Sequence, residues 1–426
     1  MANVGSSKSS DSAASFENKT NVPALAMVTT LFFVWGFLTS LNDVLIPHFK
    51  NLFGLKYAGA SLVQTAFFAS YFVFSLPSGK LIEAIGYKKA MVAGLLVMAA
   101  GAFLFIPAAS VASYPFFLAA LIVLAAGMTV LQVSANPYVT ALGPERTSSS
   151  RLNLAQAFNS LGTTVGPPLG GLLILGAATL GAAELTKLTA AQVHDYQLQQ
   201  AAVVKMPYLG FGLVLVVLAA IIAWFQLPKI GAVEGKIERQ GGSVWNYPHL
   251  LFGVVAIFVY VGAEVSIGSY LINYFNLSDI ANLPLEQGAK LVSYYWGGAM
   301  VGRFIGSALQ QKIKPNTLLG IAALVAGALV CASMLTFGNV AMWTILAVGL
   351  FNSIMFPTIF ALSIEGLGPL TAEGSTMLVA AIVGGAIIPY AQGAIADRIG
   401  LHHAFFLPVI CYLYIAFFGF RGSKHA

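Results

Sequence analysis

Long uninterrupted runs of apolar residues dominate the chain and define its predicted secondary structure. Each run is about 20 residues long, which at about 1.5 Å per helical residue is enough to cross a hydrocarbon layer about 30 Å thick. Charged residues or clusters of Gly and Pro separate the runs. The pattern predicts twelve membrane-spanning helices, at residues 23–49, 58–78, 90–110, 115–141, 152–176, 206–227, 247–275, 288–310, 317–337, 340–366, 371–393 and 403–420.

The composition agrees with an all-α membrane protein. Of the 426 residues, 58% are hydrophobic and 8% are charged, too few charges to cover the surface of a soluble protein of this size. A transmembrane β-barrel is excluded, because its strands would alternate apolar and polar residues over about 10 positions. The lipid bilayer is therefore the expected environment of most of the surface.

A charged segment divides the predicted spans into two groups of six. We expect a cytoplasmic tail at 1–22, a six-helix bundle at 23–227, a cytoplasmic linker at 228–246, a second six-helix bundle at 247–420 and a tail at 421–426. The halves also echo each other at an offset of 225 residues, since Phe33-Val34-Trp35 resembles Phe258-Val259-Tyr260. Leu142-Gly143-Pro144 matches Leu367-Gly368-Pro369 at the same offset. Such a repeat is typical of transporters with a substrate site near the membrane midplane.

The positive charges indicate the orientation in the membrane. With the N-terminus inside, fourteen Lys and Arg residues, including Arg151, fall in cytoplasmic segments and six fall outside. This asymmetry predicts that both termini are cytoplasmic. The net charge of +6 is thus a topology signal, and we expect no nucleic-acid partner.

Three charged side chains fall well inside predicted spans. At the centre of a span each costs about 2.5–3.5 kcal/mol, so each needs a partner, a water-filled cavity or a function. Asp43 in the first span is flanked by Ser40 and Asn42, and this set suits a proton or a sodium ion. The alternative for Asp43 is a structural role as a cap or a partner of a cation. Glu264 in the seventh span and Arg303 in the eighth either form a buried ion pair or contact a substrate.

Pairs of amide side chains share helix faces in the first half. Gln132 and Asn136 are four residues apart in the fourth span, and Gln156 and Asn159 are three apart in the fifth. Interhelical hydrogen bonding is one use of such pairs in membrane bundles. Binding a hydroxyl-rich solute such as a sugar is the other, because each hydroxyl taken from water needs a replacement partner.

The second half offers a further amide and several aromatic rings. Asn273 is expected to add another polar partner for such a solute. The aromatic rings are those of Tyr274, Tyr294, Tyr295 and Trp296. They either stack against the apolar face of a sugar or form an aromatic belt at the membrane interface.

No group of residues indicates an enzyme or a cofactor site. A His/Cys cluster, a Ser/His/Asp set and a nucleotide-binding loop are all missing from the sequence, so we expect no catalytic residue, metal or cofactor. The six histidines are at positions 48, 194, 249, 402, 403 and 425. They fall at span ends, in loops or in tails, and we expect them to be solvated.

Three polar-marked strings carry a resemblance to a known family. The segments 40–47 (SLNDVLIP), 134–145 (SANPYVTALGPE) and 151–160 (RLNLAQAFNS) resemble the fucose:proton symporter family of the major facilitator superfamily, most closely its glucose/galactose transporter branch. The likeness runs through most of both halves. It implies a twelve-helix major facilitator fold with a central sugar cavity, in a bacterial inner membrane.

The resemblance also implies roles for individual residues. In the family pattern, the aspartate matching Asp43 and a glutamate in the fourth span take part in proton coupling, while the amides matching Gln156 and Asn159 face the sugar. Gln132 occupies the glutamate position here, and an amide cannot carry a proton. Either Asp43 alone carries the proton, or Asp43 and neighbouring amide oxygens, with Asn42 and Gln132 as candidates, bind sodium.

The superfamily's loop motif occurs twice in altered form. Segment 79–89 (GKLIEAIGYKK), between the second and third spans, keeps it only in part, with Glu83 for the usual aspartate and Ala84 for the usual arginine. Segment 393–400 (GAIADRIG) is closer to the motif, but the predicted topology places it on the other side of the membrane.

Together these features predict a cation-coupled sugar symporter of glucose/galactose type that works by alternating access. We expect a monomer in the cell inner membrane, with H⁺ or Na⁺ as the coupling ion. The alternative is an uncoupled facilitator or a channel for small polar solutes, although no filter motif is visible.

Overall fold

The computed structural model describes residues 19–53, 55, 57–170, 172–173, 189–229 and 242–424, and every element assigned among them is helical. The first half contains α1 (Val22–Leu52), α2 (Tyr57–Ser110), α3 (Tyr114–Thr140), α4 (Ser148–Gly170), α5 (Ala190–Ala202) and α6 (Lys205–Trp224). The second half contains α7 (Pro248–Asn276), α8 (Leu285–Leu309), α9 (Pro315–Leu335), α10 (Gly338–Asn352), α11 (Met355–Ile364), α12 (Thr371–Ala380), α13 (Gly384–Ile399), α14 (Leu401–Ala404) and α15 (Phe406–Phe417).

The helices correspond to the predicted spans. Within the described ranges, nine segments are long and apolar enough to cross a membrane. One of these, Leu62–Ser110, holds two predicted spans, and the more polar helices α4 and α8 match two others. Each of the twelve predicted spans therefore has a helical counterpart. Residues 1–18 and 425–426 of the predicted tails, most of the linker, and residues 171 and 174–176 of the fifth span lie outside the described residues.

Two predicted spans are interrupted by short breaks. The tenth is divided into α10 and α11 at Ser353 and Ile354, four and three residues before Pro357. Proline has no N–H and its ring clashes with the carbonyl four residues earlier, here that of Ser353, so a break at this point is expected. The eleventh span changes to a 3₁₀ turn at Ala381–Val383 and then continues to Ile399, six residues beyond the predicted end at 393.

The described residues fall into two compact units. The larger unit draws on Met1–Phe32, Ala135–Phe158 and Leu227–Ala426, and the smaller unit on Phe33–Ser134 and Asn159–Gln226. One boundary between the units falls between residues 226 and 227, and the two six-helix bundles with a linker at 228–246 stay a prediction. Segment 135–158 nevertheless groups with the second half of the chain, through polar contacts described below.

In the smaller unit, α1 and α4 cross at glycine-sized distances. A Cβ atom added to Gly162 would lie 2.2 Å from the carbonyl oxygen of Phe33, and one added to Gly36 would lie 2.1 Å from that of Asn159. In the larger unit the crossing of α7 and α13 is equally close, since a Cβ on Gly384 would lie 2.0 Å from the Phe258 carbonyl oxygen. Phe33 and Phe258 occupy matching positions of the sequence repeat, so the repeat extends to the helix packing. Small residues at such crossings are the usual way in which membrane helices approach closely.

The two versions of the loop motif adopt the same backbone turn. Gly86, in the first, has φ 80° and ψ 164°, and Gly400, in the second, has φ 84° and ψ 150°. Both conformations lie in a region that is open essentially to glycine alone. The likeness of the two segments is therefore structural as well as sequential.

The crossing of the C-terminal part of α2 with α3 yields a stability prediction. A Cβ on Gly101 would lie 2.4 Å from the backbone nitrogen of Leu124, whereas a Cβ on Gly210 in α6 would meet nothing within 4 Å. Overpacking of this kind costs about 1–3 kcal/mol, while alanine in an open helical position gains up to about 1 kcal/mol over glycine. We expect Gly101→Ala to lower the thermal unfolding midpoint in detergent and Gly210→Ala to hold or raise it. Equal midpoints for the two variants would contradict the crossing.

Candidate functional site

Gln132 in α3 belongs to a polar cluster that joins three helices of the smaller unit. The phenol of Tyr71 in α2 is hydrogen-bonded to the side chains of both Gln132 and Trp35, the latter in α1. Tyr71, Gln132 and Trp35 are all buried. The Gln132 amide thus has a phenol, and not a carboxylate, as a described hydrogen-bond partner.

Asn136, one helical turn further along α3, is fully buried. Neither the oxygen nor the nitrogen of its amide has a hydrogen-bond partner among the described residues. Leaving a buried polar group unpaired costs about 1–3 kcal/mol, which makes this position unusual for a purely structural side chain. A role of Asn136 in substrate binding stays a prediction.

Gln156 and Asn159 are held by different contacts on α4. Gln156 is buried, and its backbone carbonyl accepts a hydrogen bond from Nη1 of Arg303 at 3.4 Å. The amide nitrogen of Asn159 lies 2.8 Å from the point where a Cβ on Gly36 would sit. The absence of a side chain on Gly36 thus makes room for the Asn159 amide, and the α1–α4 crossing fixes its position.

Asn42 and Asp43 lie in the C-terminal part of α1, and their side chains are outside the described residues. The neighbouring Ser40 is described: its hydroxyl donates to the Phe37 carbonyl at 2.8 Å. The same hydroxyl oxygen lies 2.0 Å from the site of a Cβ on Gly166. The backbone of α1 just before Asp43 is therefore packed tightly against α4.

Asn273 and Trp296 occupy accessible positions in the second half. Asn273 is exposed near the end of α7. Trp296 in α8 is 43% exposed, and its ring edge lies 2.9 Å from the site of a Cβ on Gly268. The Trp296 ring is therefore seated against α7 and is also partly exposed. Tyr294 is also exposed.

Glu264 in α7 and Arg303 in α8 lie within ion-pair distance. Nη2 of Arg303 is 4.0 Å from Oε1 of Glu264, and the two side chains are 12% and 13% exposed. Nε of Arg303 also donates to the Ser353 carbonyl at 3.2 Å. The Tyr260 hydroxyl, close enough to interact with Glu264, donates to the Asn352 carbonyl at 3.1 Å. The backbone carbonyls of Asn352 and Ser353, next to the break between α10 and α11, therefore both accept side-chain hydrogen bonds.

The remaining rings of this region are structural. Tyr295 is fully buried and accepts a hydrogen bond from the Asn352 amide at 2.7 Å. Tyr274 is also buried and contacts the hydroxyl of Ser333 at 2.9 Å and Nδ1 of His402 at 3.1 Å. Neither phenol is available to stack against a ligand or to anchor a membrane interface in this structure.

Several histidines correct the expectation that they are solvated. His48, His249 and His402 are buried. His249 shares a hydrogen bond with the Glu365 carbonyl at 3.0 Å, and His402 with the Met334 carbonyl at 2.8 Å. Position at a predicted span end could not reveal this, because the partners come from segments distant in sequence.

The structure shows a role for Arg151 that the charge count missed. Although counted as a loop cation, Arg151 is buried at the start of α4. Its guanidinium donates to backbone carbonyls at and beyond the end of α3, those of Val139, Thr140, Gly143 and Pro144. It thereby satisfies acceptors that the end of a helix leaves free.

A buried polar network in the larger unit was also missed. Ser150 and Ser307 each donate to the other's backbone carbonyl, at 2.7 and 2.9 Å. Asn153 donates to the Gln310 side-chain oxygen at 2.6 Å, and Gln310 donates to the Thr358 hydroxyl at 2.7 Å. We call this set, Ser150, Asn153, Ser307, Gln310 and Thr358, the hydroxyl–amide network. It joins the beginning of α4 to the end of α8 and to α11, which explains why segment 135–158 groups with the second half.

A sequence signal for this network existed but was not specific. Ser150 and Asn153 are three residues apart, as are Ser307 and Gln310, so each pair lies on one helix face. The pairing of the two faces depends on long-range packing.

The chain is similar to known membrane transporters over most of its length. The chain matches the Major Facilitator Superfamily model over residues 28–373. It is 52% identical to a protein described as a glucose/galactose transporter from Brucella abortus, over 94% of each chain. It is 34% identical to the L-fucose-proton symporter of Escherichia coli, over 96% of this chain and 95% of that one.

A solved structure shows the same fold. The crystal structure of the transporter FucP in the outward conformation superposes with a TM-score of 0.88 at 33% identity, over 95% of this chain and 99% of that one. Both the fold class and the family inferred from the sequence are confirmed, since a family model, relatives and a structure agree over nearly the whole length. This chain belongs to the Major Facilitator Superfamily.

Proposed function

We propose that the protein is a proton-coupled sugar symporter that works by alternating access and takes up a hexose of the glucose/galactose type. The observation that carries the proposal is the similarity to the Brucella abortus glucose/galactose transporter, which extends over 94% of both chains. The similarity to a fucose-proton symporter favours H⁺ over Na⁺ as the coupling ion. The predominance of Lys and Arg in the predicted inner loops supports cytoplasmic termini in the inner membrane. The working unit is a monomer.

The polar groups of the first half support a hydroxyl-rich substrate. Gln156 and Asn159 lie three residues apart on α4, and Asn136 has an unsatisfied amide among the described residues. Amide groups both donate and accept, as sugar hydroxyls require. Trp296, which is partly exposed, adds an aromatic surface for the apolar side of a sugar ring.

Uptake into proteoliposomes tests the whole proposal. Labelled glucose, galactose, mannose and fucose are offered separately, with a proton gradient or a sodium gradient imposed alone. We expect a proton gradient to drive accumulation of at least glucose or galactose and a sodium gradient to have no effect. Saturable uptake with counterflow but no response to either gradient would indicate an uncoupled facilitator. Uptake without saturation or counterflow would indicate a channel.

The α4 amides give a prediction about sugar affinity. Replacing Gln156 or Asn159 with Ala removes a partner of a sugar hydroxyl and is expected to weaken binding by about 1–3 kcal/mol, roughly 5- to 150-fold in Kd. Gln311→Ala, which removes an exposed amide at the end of α8, is the control and should leave Kd unchanged. Calorimetric titration of the purified variants measures the effect. Wild-type affinity in both α4 variants would contradict a sugar-facing role.

Asp43 gives a prediction about coupling. Asp43 is the only carboxylate in the predicted spans of the first half. At the fourth-span position where the family pattern has a glutamate, this chain has Gln132, which does not titrate. Asp43→Asn is expected to abolish proton-driven accumulation while sugar exchange across the membrane continues at least in part, because exchange needs only the loaded protein to change sides. Accumulation and counterflow are measured in the same vesicles. Accumulation retained by Asp43→Asn would show that the coupling site lies elsewhere.

A further inference from the structure

Four basic side chains lie at the predicted cytoplasmic ends of α8, α9 and α15. Lys312 and Lys314 are in the connection between α8 and α9, and Arg421 and Lys424 follow α15. All four are exposed, and none of their side chains has a hydrogen bond or an ion pair with a described residue. We call this set the inner basic surface.

Close backbone packing brings the two parts of the inner basic surface together. A Cβ on Gly419 would lie 2.7 Å from the backbone nitrogen of Gly320 and 2.9 Å from the carbonyl oxygen of Asn316. Gly419 comes shortly before Arg421 in the chain, and Asn316 comes shortly after Lys314. The fold therefore places cations from distant parts of the sequence at the same end of the α9–α15 pair.

Other cations on the predicted inner side are used within the protein. Arg151 donates to carbonyls beyond the end of α3, and Lys88 donates to the Ala223 carbonyl at 2.8 Å. These contacts satisfy backbone acceptors near helix ends. The inner basic surface makes no such contact with the described residues, so its charges are available to a ligand from outside the chain.

The side chains around the inner basic surface are apolar. Ile313, between the two lysines, is exposed, as are Phe420 beside Arg421 and Ile321 in the second turn of α9. The Phe420 ring also packs on α9, since a Cβ on Gly320 would lie 2.6 Å from it. Cations next to exposed apolar side chains suit a ligand that combines negative charge with hydrocarbon.

An anionic phospholipid has both properties. Basic clusters at the cytoplasmic ends of membrane helices attract such lipids, whereas the orientation rule requires positive charge on this side without requiring that it be concentrated at one place. A soluble anion would use the cations alone and leave the neighbouring apolar side chains without a role.

We propose that the inner basic surface binds the phosphate headgroup of an anionic phospholipid, with the acyl chains along the exposed apolar side chains of α9 and α15. The lysines supply mobile point charges, and Arg421 supplies a planar group that can form paired hydrogen bonds to phosphate oxygens. The lipid contacts both the start of α9 and the segment after α15, so its binding stabilises the packing of these two parts of the chain.

Lipid binding to the purified full-length protein tests the proposal. Native mass spectrometry measures the Kd of the first bound dioleoylphosphatidylglycerol, and zwitterionic dioleoylphosphatidylcholine is the comparison lipid. We expect Lys314→Gln/Arg421→Gln to raise the Kd of the anionic lipid about 25-fold, because each basic residue near a membrane surface contributes roughly fivefold. The comparison lipid should bind more weakly and respond little to the change.

Two matched variants separate a site from the general charge of the inner side. Lys80→Gln/Lys89→Gln removes two exposed cations from the same predicted side and should leave the Kd near the wild-type value. Lys314→Arg/Arg421→Lys exchanges the two cations and should retain binding. Equal losses in the two neutralised variants would indicate a diffuse surface potential and overturn the proposal. Loss of binding in the exchanged variant would show that charge is not the determinant and would also overturn it.

The identity of the ligand has its own test. Equal affinity for the two lipids would refute selectivity for negative charge. Displacement of the anionic lipid by inorganic phosphate at a comparable concentration would show that the surface takes a soluble anion instead. Binding is measured without transport, so each of these results leaves the proposed function untouched.

Discussion

In a hydrocarbon environment, each backbone N–H and C=O must find its partner within the protein, and this requirement explains the placement of the cationic and phenolic side chains here. Continuous helices meet it unaided, but helix ends and breaks do not. Arg151 takes the carbonyls at the end of α3, and Lys88 donates to the Ala223 carbonyl near the end of α6 at 2.8 Å. Arg303 and Tyr260 do the same at the break before Pro357. A side chain that could be mistaken for a loop charge thus completes the backbone of a neighbouring helix.

The break between α10 and α11 shows how this requirement positions a charged side chain. A proline frees a carbonyl, the carbonyl positions an arginine, and the arginine then approaches a carboxylate without being bound tightly to it. Interrupted helices near substrate and ion sites are a general feature of secondary transporters.

The repeated turns at Gly86 and Gly400 account for the motif that the predicted topology places on the opposite side of the membrane. Each six-helix half of this superfamily contains two inverted three-helix repeats. The second and eleventh spans are both the middle helix of such a repeat, and the eleventh belongs to an inverted one. A turn with similar backbone angles therefore follows the middle helix in each of the two repeats.

The sequence by itself determined the helical class, the number and approximate limits of the spans, and the family. These depend on local quantities, namely the length of apolar runs and the identity of marked strings such as 134–145, which need no knowledge of packing. It also singled out Glu264 and Arg303, because a charge inside an apolar run is conspicuous in any arrangement.

Only the tertiary structure decided which polar side chains meet. It placed Tyr274 with His402, Gln132 with Tyr71, and Asn153 with Gln310, pairs that are 61 to 157 residues apart in the sequence. Hydrogen bonds need partners within about 3.5 Å, and that precision comes from close helix crossings set by residues such as Gly36 and Gly162. The hydropathy pattern specifies that helices form but not which faces they present to one another, so the network and the buried histidines could not be found from it.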